Sequence, residues 1–442
     1  MGRTRLSKCI PEKQGFTMKK KIIFQAICDW YKKLLHSREL LELGRRKSTD
    51  FTRNRIMPFT DLILFMVNLV RGTTQVALNR FFHEIKGTEA HMSQQAFSKA
   101  RMKLTWEVFR YQFDKVVEQY YSLDSDYARW HGYRVNAVDG SKQQLPSDPL
   151  LREIYGTYGR GETAVTAQGS TLYDVLNDII IDARLEPISI DERSLALEHV
   201  KHLRTLMSFS HELVIFDRGY ASFELIKDFI QNEKPINFLF RLRTKFNVKI
   251  DQLPIGDHKF TLTDKKDSFK LRVIKFELDT GEIETLLTNL TEKDISLQGF
   301  KELYFMRWPI ETKYEELKHK LEIENFSGLS QLAILQDFYA TAFLSNMISI
   351  AVNDAQELAD TNREGKDNKY EYKINKNQAI GNFKNQFIRA FLIDNDKKRA
   401  RHIMRIIFML HRSVVPIRPG RSIPRNPTPR KANFHHNKKS NC

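Results

Sequence analysis

The sequence predicts an α/β chain in which a mixed sheet flanked by helices carries a β-rich insertion and follows an all-α N-terminal region. Three observations predict this. Apolar residues recur at three- and four-residue steps through roughly the first 128 residues, with no strand pattern among them. From about residue 131, short apolar runs bounded by turn residues alternate with helical periodicity. Between about residues 245 and 292 the helical period disappears in favour of runs of strand length.

In the N-terminal region, "FQAICDWYKKLLHSRELLEL" reads as amphipathic helix and "FTDLILFMVNLV" as a short buried one. "MSQQAFSKARMKL" offers Ser93 as a helix N-cap. Its periodicity turns Ala96, Phe97 and Ala100 inward and leaves Gln94, Gln95, Lys99, Arg101 and Lys103 to solvent. This segment fits a recognition helix of a helix-turn-helix unit and fits a solvated basic face equally well.

Next, "YRVNAVDGS" is an apolar strand expected to end at Asp139, and "TAVTAQGSTLYDVLNDIIIDARLEPI" is two strands joined at Asn177 and Asp178. "DERSLALEHVKHL" gives a helix with Leu195, Ala196, Val200 and Leu203 inward. The continuous run Leu213 to Phe216 is a buried strand ending at Asp217, with Ser222 able to cap the helix "FELIKDFIQ", and "INFLFRL" is a further strand. "FNVKI", "HKFTLT", "FKLRVIKFEL" and "EIETLLTNL" are the expected strands of the insertion. Helices resume near Ser296 and run to about Leu358, including an uncharged stretch from Phe338 to Asn353 read as a buried helix rather than a membrane span. The expected organisation is a helical DNA-binding region at 1–128, a catalytic domain at 129–358 with its insertion at about 245–292, and at 359–442 a charged linker, C-terminal helices and a basic, proline-bearing arm.

Lys plus Arg number 71 against 54 Asp plus Glu, a net charge of +17, which points to a polyanionic partner, nucleic acid before anionic membrane. Cys9, Cys28 and Cys442 are scattered without C-x-x-C pairs, which argues against a sulfur-ligated metal or a disulfide scaffold and for a reducing interior. The first residues lack the apolar core of a secretion signal.

Asp139 and Asp217 each fall where a buried apolar strand is expected to end, the place where α/β folds gather reacting groups. Either alone also reads as an ordinary turn residue. In "LYFMRWPIETKYEELKHKLEI", Tyr304, Arg307, Glu311 and Lys318 fall within about 60° of arc on a helix, with Pro309 bending or restarting it. A solvated, salt-bridged face is the ordinary meaning of such a stripe. Trp308 and Tyr314 are too apolar for that, and Lys313, Glu315, Glu316 and Lys320 supply a charged face elsewhere. One acid among cations on a stripe suits a place where a metal ion and DNA phosphates meet.

Tyr, two residues, Arg, three residues, Glu, six residues, Lys is similar to the Tyr-Arg-Glu-Lys signature of a large family of bacterial insertion-sequence transposases within the DDE group. "VDGS" around Asp139, "FDRGY" around Asp217 and "RWPIE" around Glu311 resemble that family's three acidic motifs, and the resemblance extends over roughly residues 50 to 390. It implies a ribonuclease H-like core in which Asp139, Asp217 and Glu311 are catalytic and hold two divalent ions, Mg²⁺ with Mn²⁺ as substitute. It also implies that Tyr304, Arg307 and Lys318 bind DNA. The implied activity is cut-and-paste transposition: cleavage at the terminal inverted repeats, then strand transfer into target DNA, by a homodimer in the synaptic complex, in the bacterial cytoplasm at the nucleoid, with no membrane partner. Some relatives excise through a DNA hairpin aided by an aromatic residue of the insertion, where this chain has Phe246, Phe260 and Phe269 and no tryptophan. A DNA-binding regulator would explain the charge but not the three acids. A metal-dependent nuclease on the same core would cut DNA without joining it.

Overall fold

We describe the protein from a computed structural model of residues 22–53, 55–68, 73–124, 126–159, 163–206, 211–264, 266–278, 281–290 and 295–418. The basic arm expected beyond residue 418, Cys9 and Cys442 lie outside the described residues, and Cys28 is buried and free.

As expected, the N-terminal region is helical: α1 (Ile23–Leu35), α2 (Arg38–Gly44), α3 (Phe59–Val67), α4 (Thr74–Arg80) running into a π-helical turn at Phe81–Ile85, α5 (Gln94–Arg101) and α6 (Glu107–Leu123). The α1 periodicity buries Ile23, Phe24, Ile27, Tyr31 and Leu34, and the Asp354 carboxylate accepts from the Phe24 N–H at 2.7 Å. Ser93 caps α5 by accepting from the Ala96 N–H at 3.2 Å, and Phe97 is buried. Two α5 residues depart from the expected pattern. Ala96 is exposed, and Arg101 turns inward to bond Asp337 at 2.7 Å, Gln336 at 2.8 Å and the Ala333 carbonyl at 2.8 Å. An acid from a distant segment outbids water for the guanidinium, which helical periodicity cannot anticipate.

The mixed part comprises β1 (Arg134–Gln144), α7 (Pro149–Tyr155), β2 (Thr157–Tyr158), β3 (Ala164–Asp174), β4 (Ile179–Pro187), α8 (Glu192–Thr205), β5 (Glu212–Phe216), α9 (Phe223–Gln231) and β6 (Asn237–Arg241). The following segment contains α10 (Val248–Asp251), β7 (Gly256–Asp264), β8 (Asp267–Glu277) and β9 (Ile283–Thr288). Then come α11 (Leu297–Phe305), α12 (Pro309–Glu315), a π-helical turn at Glu316–Lys320, α13 (Gln331–Thr361), β10 (Tyr372–Ile374), α14 (Lys376–Leu392), α15 (Asp396–His411) and β11 (Val414–Pro416). "FNVKI" is not a strand: the Asn247 side chain accepts from the Lys249 and Ile250 N–H groups and starts α10. β1 does not end at Asp139 but continues five residues, paired antiparallel with β3 from Asp139↔Thr171 to Gln144↔Thr166.

One sheet runs β2-β3-β1-β5-β6-β9-β8-β7, with β4 on β3. β1, β5 and β6 are parallel, and β9 joins β6 antiparallel, so the insertion extends the same sheet rather than forming a separate β unit. On one face Val135, Leu213, Ile215 and Leu239 pack with Phe300, Leu303 and Tyr304 of α11. On the other, Val138, Val214, Phe216 and Phe240 pack with Ala196 and Val200 of α8 and Phe229 of α9. Most of α13 is buried, including the expected stretch from Phe338, and Asn346 bonds the Ile180 backbone of β4 in both directions. Among the described residues no helix is long and apolar enough to cross a membrane.

Because Arg101 and Asp337 are both buried, Arg101→Ala leaves an uncompensated carboxylate. It should cost about 3–5 kcal/mol in denaturant unfolding, against about 0.5 kcal/mol or less for Lys99→Ala on the exposed side of the same helix.

Candidate active site where two parallel strands part

β1 and β5 pair in parallel from Arg134↔Glu212 to Ala137↔Ile215. The same offset carries Asp139 opposite Asp217, two residues beyond the last pair. Strand alternation turns both side chains to the α11 face, on strands about 4.8 Å apart. Asp217 accepts a long hydrogen bond from the Tyr304 hydroxyl at 3.4 Å and lies 3.7 Å from Arg241, whose planar fork is also paired with Glu284.

Pro309 stands at the first position of α12, so the helix restarts there, as the sequence suggested. Arg307, two residues earlier, is only 5% exposed and donates to Glu311 at 2.7 Å. Burial pulls this guanidinium down, but the Glu311 hydrogen bond and the charges of Tyr304, Asp217 and Asp139 outweigh it and hold the group above its ordinary value. One buried cation therefore lies in the fields of all three acids. Burial pushes the Asp139 carboxyl up to about 6, against the Arg307 charge and the Gly140 N–H, with Glu192 and Glu311 adding to the rise. From the α12 side, the Tyr314 hydroxyl donates to the Asp139 carbonyl at 2.7 Å and accepts from Thr171 at 3.0 Å, fixing the strand where its acid projects.

Tyr304, Arg307, Asp139, Asp217 and Glu311 thus form one neighbourhood. Lys318 does not reach it. The π-helical turn moves Lys318 to the Lys142 carbonyl at 2.6 Å and Glu324 at 3.3 Å, further along β1. Lys313 and Glu316 are not a solvated face either: both are buried, with Lys313 3.0 Å from Asp178 and 3.0 Å from Glu316. Among the described residues no three His, Cys, Asp or Glu side chains are gathered tightly enough to hold a metal ion, and a guanidinium stands among the acids instead.

Several neighbours escaped sequence reasoning. Arg241 is the last residue of β6, and an arginine closing a buried strand beside a carboxylate-tipped one was the available signal. Arg193 and Arg243 converge on the loop after Asp217, donating to the Gly219 carbonyl at 2.9 Å and the Arg218 carbonyl at 3.0 Å, and with exposed Arg218 they build a basic rim. No local pattern in the chain announces that convergence.

The raised Asp139 carboxyl has a signed consequence. Its folded value of about 6 lies above that of an unfolded aspartate, so its contribution favours folding most below about pH 4 and is lost as pH rises through 6. Asp139→Asn should stabilise the metal-free protein by about 1–2 kcal/mol at pH 8, with the gain vanishing near pH 4, in paired thermal melts.

No curated protein matches the chain. Among solved structures, the cryo-EM structure of a piggyBac transposase synaptic complex with hairpin DNA aligns at 11% identity and a TM-score of 0.42, over 91% of this chain and 85% of that one. Residues 130–347, which hold the nine-stranded sheet together with Asp139, Asp217 and Glu311, match the family model of the transposase DDE domain, and that match supports a DDE transposase.

Proposed function

We propose that this DDE transposase binds the terminal inverted repeats of an insertion sequence and carries out divalent-metal-dependent strand cleavage and strand transfer, with Asp139, Asp217 and Glu311 as the metal-holding acids. The observation that carries the reading is the shared guanidinium: acids from three separate elements meet the field of Arg307. The donors are hard carboxylate oxygens. Their local negative charge exceeds what Arg307 and the already paired Arg241 offset, which suits Mg²⁺ or Mn²⁺. When bound, two such ions stabilise the attacking and leaving oxygens of an in-line phosphodiester displacement.

The chain's own residues do the rest. Arg307, held by Glu311 at 2.7 Å, contributes positive charge beside the acids that favours an approaching phosphate. Tyr304, held at Asp217, positions the strand to be cut, and the rim of Arg193, Arg218 and Arg243 together with Lys318 neutralises neighbouring phosphates. Water cuts the transposon end, and the freed 3′-hydroxyl attacks the opposite strand or target DNA at the same site. No covalent enzyme intermediate is required. The helices before residue 128 serve end recognition, two ends call for a homodimer in the synaptic complex, and the working compartment is the bacterial cytoplasm at the nucleoid.

With end-bearing DNA and Mg²⁺ or Mn²⁺, Asp139→Asn, Asp217→Asn and Glu311→Gln should each cut strand transfer by at least about 10²-fold while DNA binding stays largely intact. Cleavage retained in any one removes that residue from the site, and cutting without joining in the wild type favours the nuclease. Lys318→Ala should weaken binding to all DNA sequences alike and lower the salt-dependence slope by about 1, read from affinities across a salt series.

A further inference from the structure

Gly140 follows Asp139 on β1 and, by strand alternation, faces α8 together with Val138. A Cβ built there would lie 2.6 Å from the Glu192 Oε1 and 2.8 Å from the Gln168 Nε2. The glycine therefore leaves a notch in the catalytic strand that the Glu192 carboxylate fills. Glu192 is not needed to start α8. Asp191 is the cap, accepting from the Arg193 N–H at 2.8 Å and the Ser194 N–H at 3.4 Å. Within the notch, the Glu192 carboxylate accepts a long hydrogen bond from Gln168 at 3.4 Å, and Glu192 is exposed, open to an incoming ligand.

A second observation comes from the other acidic strand. Tyr220, three residues after Asp217, is 2% exposed, and among the described residues its hydroxyl has no hydrogen-bond partner. Burial pushes this phenol well up, and Glu192, Asp139, the Tyr314 phenol and Asp217, in that order, add to the rise. A buried hydroxyl left unpaired is costly, so its place near three carboxylates and the Tyr314 phenol calls for a ligand that brings oxygen or positive charge.

We infer that Glu192 is a fourth acidic residue of the site and that, with the Tyr220 hydroxyl, it positions a hydrated divalent cation against Asp139 through the notch at Gly140. The inference rests on the metal-dependent reading proposed above. It adds a ligand-facing group from α8, an element that supplies none of the three acids expected from the sequence. The chemistry is that of outer-shell support, in which a carboxylate and a phenol hold the water of a hard cation and raise its affinity.

The test is Mn²⁺ binding to the full chain, read as the loss of the free-ion signal in electron paramagnetic resonance, beside circular dichroism to establish folding. Glu192→Gln should weaken Mn²⁺ binding by about 10–100-fold, Glu192→Asp should restore part of the loss, and Tyr220→Phe, which removes only the unpaired hydroxyl, should weaken it in the same sense. The metal concentration needed for half-maximal cleavage should rise in parallel. Wild-type Mn²⁺ affinity in both Glu192→Gln and Tyr220→Phe, with affinity lost in Asp139→Asn, overturns the role of Glu192 and leaves the active-site reading standing. Unchanged affinity in Asp139→Asn as well overturns both. Should Glu192→Gln fail to fold, Tyr220→Phe decides alone.

Discussion

A guanidinium that is 5% exposed must be answered by negative charge, and Arg307 is answered from three directions at once. Desolvation alone would make that position untenable. The hydrogen bond to Glu311 within α12 and the fields of Asp217 and Asp139 from the sheet make it tenable, and in doing so they fix where α12 can begin relative to β1 and β5. Pro309 at the start of α12 serves the same end: the restarted helix turns Arg307 inward while Trp308 beside it remains exposed. The acids in turn depend on the parallel pairing of β1 and β5, because a one-residue slip would send one aspartate to the α8 face.

Much of this was legible in the chain. Buried strands betray themselves by continuous apolarity, so the run ending at Asp217 and the register neighbour Asp139 could be located, and the spacing of Tyr304, Arg307 and Glu311 reported a common stripe. What stayed hidden depends on partners far away in sequence. Arg101 and Lys313 look like surface cations until Asp337 and Asp178 come to them. Lys318 leaves the stripe because a π-helical turn, set by packing, breaks the 3.6-residue count. Glu192 reads as one more helix-start acid; only Gly140, which leaves room for it, gives it a different meaning.

The insertion carries a related lesson. Its strands were expected as a β unit inside the mixed domain, yet β9 hydrogen-bonds β6 from Leu239↔Thr288 to Arg241↔Leu286. That pairing closes the edge β6 would otherwise expose and brings Glu284 to Arg241, which in turn faces Asp217. The insertion and the second acid are thus mechanically continuous. Alternation and turn residues identify strands but say nothing about which neighbour each will choose.

The inward turn of Arg101 has an effect reaching beyond stability. It anchors the last residue of α5 to α13, the 31-residue helix that also holds the Ile180 backbone of β4. Under the proposed reading, a duplex end gripped by the helices before residue 128 is not carried on a tether that swivels. It rests on a fixed arm whose other end is embedded beneath the sheet, so the chain acts as a caliper, and the distance from the gripped base pairs to the severed phosphate is set by the protein's frame.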